Sequence, residues 1–323
     1  MKYLIYGIGS PLIDVVIKTE DNILSKLNLK KGGMHLLTNE QMKEIEILFG
    51  ENTVKISPGD STANTVVGIA NFGGNAAYLG KLGKDSYADF FIKDLLKNKV
   101  DSKISHSENI TGKVIAFVTP DHERTMAVYL GAAKELSHLD INEEDIKNSK
   151  FLHLTGYQLE EPLLKETCIK AMEIAKKNNV KISIDLADSG IIKRNLEFLK
   201  EIVRDYADVV FANEDEAKAF TGLEPKEALN ELSDLNAVAV VKLGERGSLI
   251  KSGNNIYEIF AFKTDAVDTT GAGDMYAAGF LFGLASGFDC ETSGKIGSFA
   301  ASKVVSQYGA RLDYSLKEHI DKI

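Results

Sequence analysis

The sequence predicts an α/β fold: a central, mainly parallel β-sheet with helices on both faces, and a small second β-sheet beside it. Three observations carry this. From residue 151 onward, short apolar runs rich in β-branched and aromatic residues alternate with amphipathic stretches of helical period, the pattern of repeated βαβ units. "GSLIKSGNNIYEIFAF" (247–262) reads as two strands around a Gly-Asn-Asn turn, so an antiparallel hairpin closes one edge. Two separate ribbons of alternating pattern near the N-terminus have polar faces, which suits a sheet open to solvent on one side.

Taken in order, "YLIYGIGSPLIDVVIKT" (3–19) is one strand that breaks at Gly7-Ile8-Gly9-Ser10-Pro11 and resumes with alternating Ile13, Val15 and Ile17. "TGKVIAFVTPDHERTMAVYLGAA" (111–133) splits at the turn Pro120-Asp121-His122. Joined as antiparallel ribbons, these pieces would form a lid made from about residues 12–40 and 110–130. "FLHLTGY" (151–157), "KISIDL" (181–186), "DVVFAN" (208–213) and "AVAVVKLG" (237–244) read as buried strands. Between the first two, "LLKETCIKAMEIAKKNN" (163–179) sets Leu164, Cys168, Ala171, Met172 and Ala175 on one face, as a crossover helix requires. The last two helices, "GDMYAAGFLFGLASG" and "TSGKIGSFAASKVVSQYG", are dense in Ala, Gly and Ser and each ends in a candidate Gly cap. Small residues there imply close helix packing. No repeat and no Pro/Gly/Ser linker divides the chain, so residues 1–323 are expected to form a single domain.

A formal charge of −9 gives no basic footprint for nucleic acid or anionic lipid. Cys168 and Cys290 stand alone, with neither metal-ligand spacing nor a disulfide framework, and "MKYLIYGIG" is too short an apolar run for a signal peptide or a membrane span. The expected setting is a reducing cytoplasm, with no nucleic-acid or membrane partner. Oligomeric state, monomer or homodimer, is not encoded in any of these features.

The chemistry concentrates in "VDTTGAGDMYAAGF" (267–280). Gly271, Ala272 and Gly273 lack bulky side chains, so their backbone amides can approach a ligand, and the helix that follows aims its positive end at the same point. Asp274 in that first turn could orient a hydroxyl toward a phosphoryl group held over the amides. The plainer reading is an acidic helix start favoured by the macrodipole alone. The Walker pattern GxxxxGK[ST] is absent, and Gly7-Ile8-Gly9 lacks the third glycine of a dinucleotide fingerprint, which disfavours an NAD-dependent oxidoreductase.

"DTTGAGDMYAAGF" resembles the C-terminal signature of the ribokinase-like (PfkB) carbohydrate kinases. "GIGSPLIDV" (7–15) is similar to that family's substrate-binding first strand, and "PGDSTANTVVGIANFGGNAAYLGKLGKD" (58–85) to its first signature. "FANEDEA" (211–217) and "VKLGERG" (241–247) resemble its N-x-x-E element and nucleotide-side turn, in family order along nearly the whole chain. "LKKGGMHLLTNEQ" and "ERTMAVYLGAAKEL" look most like the adenosine kinase branch.

The resemblance implies a ribokinase-like fold and transfer of the ATP γ-phosphoryl group to a primary hydroxyl of a neutral ribonucleoside or sugar. It makes Asp274 the base and the amides of Ala272, Gly273 and Asp274 an anion hole. It assigns Asp14, Gly59 and Asn64 to acceptor hydroxyls, with Asp60 in the same stretch and Arg124 on the lid. It places Asn213, Glu216, Lys242, Gly244 and Gly247 on the nucleotide side, with Glu216 reaching Mg²⁺ through water, and leaves a monovalent cation such as K⁺ as an open addition. Asn213 and Glu216 also read as a capping box for a helix starting at Glu214. Three positions depart from the pattern: Asp60 where two glycines are usual, Ser10 where the branch often has Asn, and Gln158 where it often has an aromatic. The alternatives are a ribose- or fructose-type sugar kinase and a binding protein that has lost catalysis. The acceptor segments "GSPLIDV", "PGDSTAN" and "TGYQLEEP" contain no Lys or Arg, so a phosphosugar is disfavoured.

Overall fold

The computed structural model of the chain describes residues 1–50, 54–121, 123–235 and 238–322. His122 of the expected turn and Ala237 at the head of an expected strand lie outside the described residues. The strands are β1 (Tyr3–Ile8), β2 (Leu12–Lys18), β3 (Met34–Leu36), β4 (Lys55–Pro58), β5 (Ala76–Leu82), β6 (Val100–His106), β7 (Thr111–Val118), β8 (Arg124–Gly131), β9 (Ser149–Thr155), β10 (Lys181–Asp185), β11 (Val209–Asn213), β12 (Val238–Lys242), β13 (Ser248–Ser252) and β14 (Asn255–Ile259). The helices are α1 (Asp21–Lys26), α2 (Asn39–Phe49), α3 (Ser61–Asn71), α4 (Ser86–Lys97), α5 (Glu143–Lys147), α6 (Pro162–Lys177), α7 (Ser189–Tyr206), α8 (Glu214–Thr221), α9 (Pro225–Asp234), α10 (Ala272–Ala285) and α11 (Cys290–Val305).

The main sheet has nine strands in the order β14-β13-β12-β11-β10-β9-β1-β5-β6. From β12 to β6 all neighbours run parallel, and β13 and β14 add the antiparallel edge. Both faces are covered. One carries α3, α10 and α11 over Ile5, Phe211, Val240 and Ile250, and the other carries α6 and α8 over Tyr6, Leu152, Ile184 and Val210. Helix α6 begins with Pro162 at its first position and buries Leu164, Cys168, Ala171, Met172 and Ala175, the face read from the sequence.

The second sheet has five strands, β3-β8-β7-β2-β4. Ile13, Val15 and Ile17 of β2 are buried, whereas Asp14 and Val16 lie on the more open face. The ribbon at 111–133 is an antiparallel hairpin, β7 with β8, and β7 joins β2 in parallel register. The expected bounds of the small sheet need correction. β4 also belongs to the sheet, pairing with β2 from Pro58 to Lys55, although four residues with a proline gave no legible alternation.

Helices α10 and α11 pack as closely as their small residues imply. A side-chain carbon on Gly279 would lie 2.7 Å from the Ile296 carbonyl, and one on Gly283 would lie 2.6 Å from Ser293 Oγ. The Gly cap expected for α11 is corrected as well. The helix stops at Val305, and Gly309 lies beyond it, donating its N–H to Asp268 Oδ2 at 3.0 Å.

Candidate active site

Parallel strands end together on one rim: β9 at Thr155, β10 at Asp185, β11 at Asn213 and β12 at Lys242. In open α/β sheets this carboxyl edge is where ligands bind. Lys242 Nζ pairs with Asp185 Oδ2 at 2.7 Å, and both side chains are nearly buried. Burial alone would push the Lys242 ammonium down, but Asp185 and Glu216 outweigh it and hold the group above its ordinary value. Helix α8 starts with a reciprocal cap: Asn213 Oδ1 accepts from Glu216 N at 2.9 Å, and Glu216 Oε2 accepts from Asn213 N at 2.8 Å. Burial pushes the Glu216 carboxyl up to about 7; Lys242 and the cap bond from Asn213 N oppose this, and Asp185 adds repulsion.

Helix α10 starts from Gly271, whose φ of 76° is left-handed and whose α-carbon lies against Ala310. Asp268 steadies this entry, accepting from Thr270 N at 3.0 Å and Thr270 Oγ1 at 2.7 Å. The Ala272 N–H is engaged by the Thr269 carbonyl at 3.2 Å. Those of Gly273 and Asp274 have no protein acceptor among the described residues, so two of the three expected amides are free for an anion. Lys242 Nζ faces them: a side-chain carbon on Gly273 would lie 3.1 Å from it. Asp274 Oδ2 accepts from Asn64 Nδ2 at 2.8 Å. Burial pushes the Asp274 carboxyl up to about 7; the Asn64 bond works against this, and Asp185 adds to it.

Asn64 lies on α3, so one hydrogen bond joins residues from the two ends of the chain. Its Oδ1 accepts from Arg311 Nε at 2.8 Å, and Arg311 Nη2 donates to the Gly59 carbonyl at 3.0 Å. Gly59 lies against Asp14: a side-chain carbon there would be 2.8 Å from Asp14 Oδ1. Burial pushes Asp14 up to about 6 against the pull of Arg311. Asp60 caps α3, its Oδ2 accepting from Ala63 N at 2.9 Å and from Tyr78 OH at 2.8 Å, its Oδ1 from Ser10 N at 3.2 Å. Ser10 Oγ accepts from Gln158 Nε2 at 3.4 Å, and Gln158 Oε1 accepts from Thr155 N at 2.8 Å. The three departures from the family pattern, Asp60, Ser10 and Gln158, are thus one hydrogen-bonded network.

A cavity of about 1290 Å³ runs from this rim past the turn at 244–247 and the segment 261–266 after β14 to α11. Ala272, Gly273, Asp274, Asn213, Glu216, Lys242, Gly244 and Gly247 all line it. Asp14, Gly59, Asp60 and Asn64 sit beyond Asp274, connected to it through Asn64. Arg124 is not among the residues lining the cavity. It is exposed at the start of β8 and faces the entry to α10 through Asp268, whose carboxyl is held below the ordinary range against burial by its bonds from Thr270 and Gly309, with the Arg124 charge adding to them. Among the described residues no three Asp, Glu, His or Cys side chains converge as a protein cage for a metal. Asp185 and Glu216 nevertheless fit a hard cation that keeps its waters and leans on phosphate oxygens, since such an ion needs only one or two carboxylates.

Sequence reasoning missed Asp185 and Arg311. Asp185 stands at a strand's carboxyl end in "SIDLAD", a positional signal that was available. Arg311 follows α11 in an irregular segment and had no local signature.

A doubly covered α/β sheet whose carboxyl edge holds a glycine-started helix, an in-turn aspartate and a buried lysine defines a phosphotransferase that acts on an alcohol. The chain belongs to the pfkB family of carbohydrate kinases, whose model matches residues 38–317. It is similar to the adenosine kinase of Sinorhizobium meliloti, 34% identical with a TM-score of 0.88 over 100% of this chain and 99% of that one. A probable sugar kinase of Rhizobium etli CFN 42 superposes with a TM-score of 0.89 at 31% identity, covering 99% of this chain and 98% of that one. Among curated proteins, the 5-dehydro-2-deoxygluconokinase of Bacillus subtilis (strain 168) is 29% identical over 279 residues, 82% of this chain and 86% of the relative. No described helix is long and apolar enough to cross a membrane.

Proposed function

We propose that the chain transfers the γ-phosphoryl group of ATP to a primary hydroxyl of a neutral acceptor, with ribonucleosides such as adenosine ahead of free sugars. The observation that carries this is Asp274, held in the first turn of α10 next to two free amides and Lys242. A carboxyl pushed up to about 7 is a base matched to neutral pH. Asp274 takes the proton of the acceptor hydroxyl while the Gly273 and Asp274 amides, with Lys242, hold the charge on the moving phosphoryl oxygens. Mg²⁺ near Glu216 and Asp185 would neutralise the phosphate charge when bound. Asp14 and Asn64 are suited to the acceptor's remaining hydroxyls: beside its bonds to Asp274 and Arg311, the Asn64 amide keeps one N–H and one lone pair. The small sheet is suited to act as a lid that excludes water.

Charge supports a neutral acceptor. Arg311 is engaged by Asn64, Asp94 and the Gly59 carbonyl, leaving no free fork for a phosphosugar beside Asp14 and Asp60. The nucleoside preference rests on likeness to the Sinorhizobium meliloti adenosine kinase. A sugar acceptor is the second reading, favoured by the polar Ser10–Gln158 contact on the acceptor side. Comparing kcat/KM for adenosine, ribose, fructose and fructose 6-phosphate by ADP release decides between them. Adenosine should rank first and the phosphosugar last; a preference for fructose 6-phosphate would overturn the charge argument.

A further inference from the structure

We infer that Arg311 is a positioning residue for the base: by occupying Asn64 Oδ1 it fixes the amide so that Asn64 always presents an N–H to Asp274. This rests on Asp274 being the base. The geometry is a relay of three side chains. Arg311 Nε donates to Asn64 Oδ1 at 2.8 Å, and Asn64 Nδ2 donates to Asp274 Oδ2 at 2.8 Å. A guanidinium only donates and an ionised carboxylate only accepts, so a single orientation of the amide satisfies both neighbours. Flipping Asn64 would set its oxygen against the Asp274 carboxylate and its amino group against a cation.

Arg311 is itself held rigidly. Its side chain is 10% exposed, Nη1 pairs with Asp94, Nη2 donates to the Gly59 carbonyl at 3.0 Å, and the guanidinium lies 5.5 Å from the Phe91 ring centroid. Three separate acceptors on α3, α4 and the segment before α3 define the plane of its fork. Lysine, a single point charge on a flexible stem, cannot reproduce that. In this way the segment after α11 sets the direction of a hydrogen bond in the first turn of α10.

The consequence is a pH effect with a fixed sign. A donor held on the carboxylate favours its ionised form, so loss of the constraint raises the pH at which Asp274 becomes a competent base. The test measures kcat against pH in the full-length protein for Arg311→Gln, Arg311→Lys, Asn64→Ala, the Arg311→Gln/Asn64→Ala double variant, Asp94→Asn and Asp274→Asn. Arg311→Gln and Arg311→Lys should move the acidic limb upward by about half to one pH unit, the size of a lost charge-assisted hydrogen bond that is partly replaced by water. Arg311→Lys keeps a cation beside Asp94, and so tests the idea even if the glutamine variant folds poorly. In the Asn64→Ala background, Arg311→Gln should add no further shift, because Arg311 acts through the amide. Asp94→Asn should lower stability and leave the limb where it is. An unmoved limb in both Arg311 variants, or an equal shift with and without Asn64, overturns the inference while leaving the base assignment intact. Near-normal turnover in Asp274→Asn instead overturns the base assignment, and the inference with it.

Discussion

At the residue scale, Asp60 is a structural anchor set within the stretch expected to meet the acceptor. Its backbone has φ 81° and ψ 118°, a left-handed conformation that costs a non-glycine residue about 1–3 kcal/mol. Three donors, Ala63 N, Ser10 N and Tyr78 OH, offset that strain by meeting on its carboxylate. The two obvious substitutions therefore separate. Asp60→Gly relieves the backbone but gives up the hydrogen bonds, the acceptor of the fully buried Tyr78 hydroxyl among them, so it should lose about 1–2 kcal/mol. Asp60→Ala gives up the same bonds and also keeps the strained φ, so it should lose about 1–2 kcal/mol more than the glycine variant. Urea denaturation of both variants measures this, and equal losses would mean that strain is not what Asp60 is balancing. From the sequence, Asp60 was visible only as a carboxylate intruding on a glycine stretch. Its bonding to Tyr78 needs the turn of the chain into α3, which no local pattern announces.

At the element scale, the start of α10 is where sequence and chemistry coincide. Gly271 and Gly273 are both small for different reasons. Gly271 has a left-handed φ and abuts Ala310, whereas Gly273 has ordinary helical geometry and abuts only the far end of Lys242. Gly273→Val should therefore leave the fold intact, since a flexible ammonium can move aside, yet displace Lys242 and cover the free amides. Turnover should fall at least about 100-fold with an unchanged circular dichroism spectrum, the scale of losing one preorganised anion donor. Retained activity would mean that the turn is only structural. The GAG-Asp turn, the α8 capping box and the β13–β14 hairpin were legible because each is a local rule written in adjacent residues. The parallel join of β2 to β7 and the recruitment of β4 were not, since strand partners far apart in the chain share no local code. The cap of α11 was misread for a related reason: Gly309 serves Asp268 in a different segment.

At the scale of the whole molecule, the site gathers acidic groups from across the chain and holds several of them away from their ordinary ionisation. Asp14 is pushed up to about 6, and Glu216 and Asp274 to about 7, in each case chiefly by burial. Each came from a separate motif in the sequence, but their joint effect on stability appears only once the fold brings them into one cleft. The unfolded chain gives up these protons near pH 4, so between about pH 4 and 7 the native state binds more protons than the unfolded state. Stability then falls as pH rises through that window. His153 opposes the trend: burial pushes it down to about 4, so between there and its ordinary value near 6.5 the unfolded state takes the extra proton. One histidine against three carboxyl groups leaves the balance with the acids, and above about pH 6.5 the histidine no longer contributes. The ligand-free protein should accordingly be more stable to urea at pH 5.5 than at pH 7.5. Asp274→Asn removes one of the three proton sites and should flatten the decline, raising stability at pH 7.5 more than at pH 5.5. Parallel urea titrations of parent and variant at the two pH values measure the difference. A stability that rises with pH in the parent, or an identical decline in both proteins, would show that these carboxyl groups do not store the ionisation strain ascribed to them.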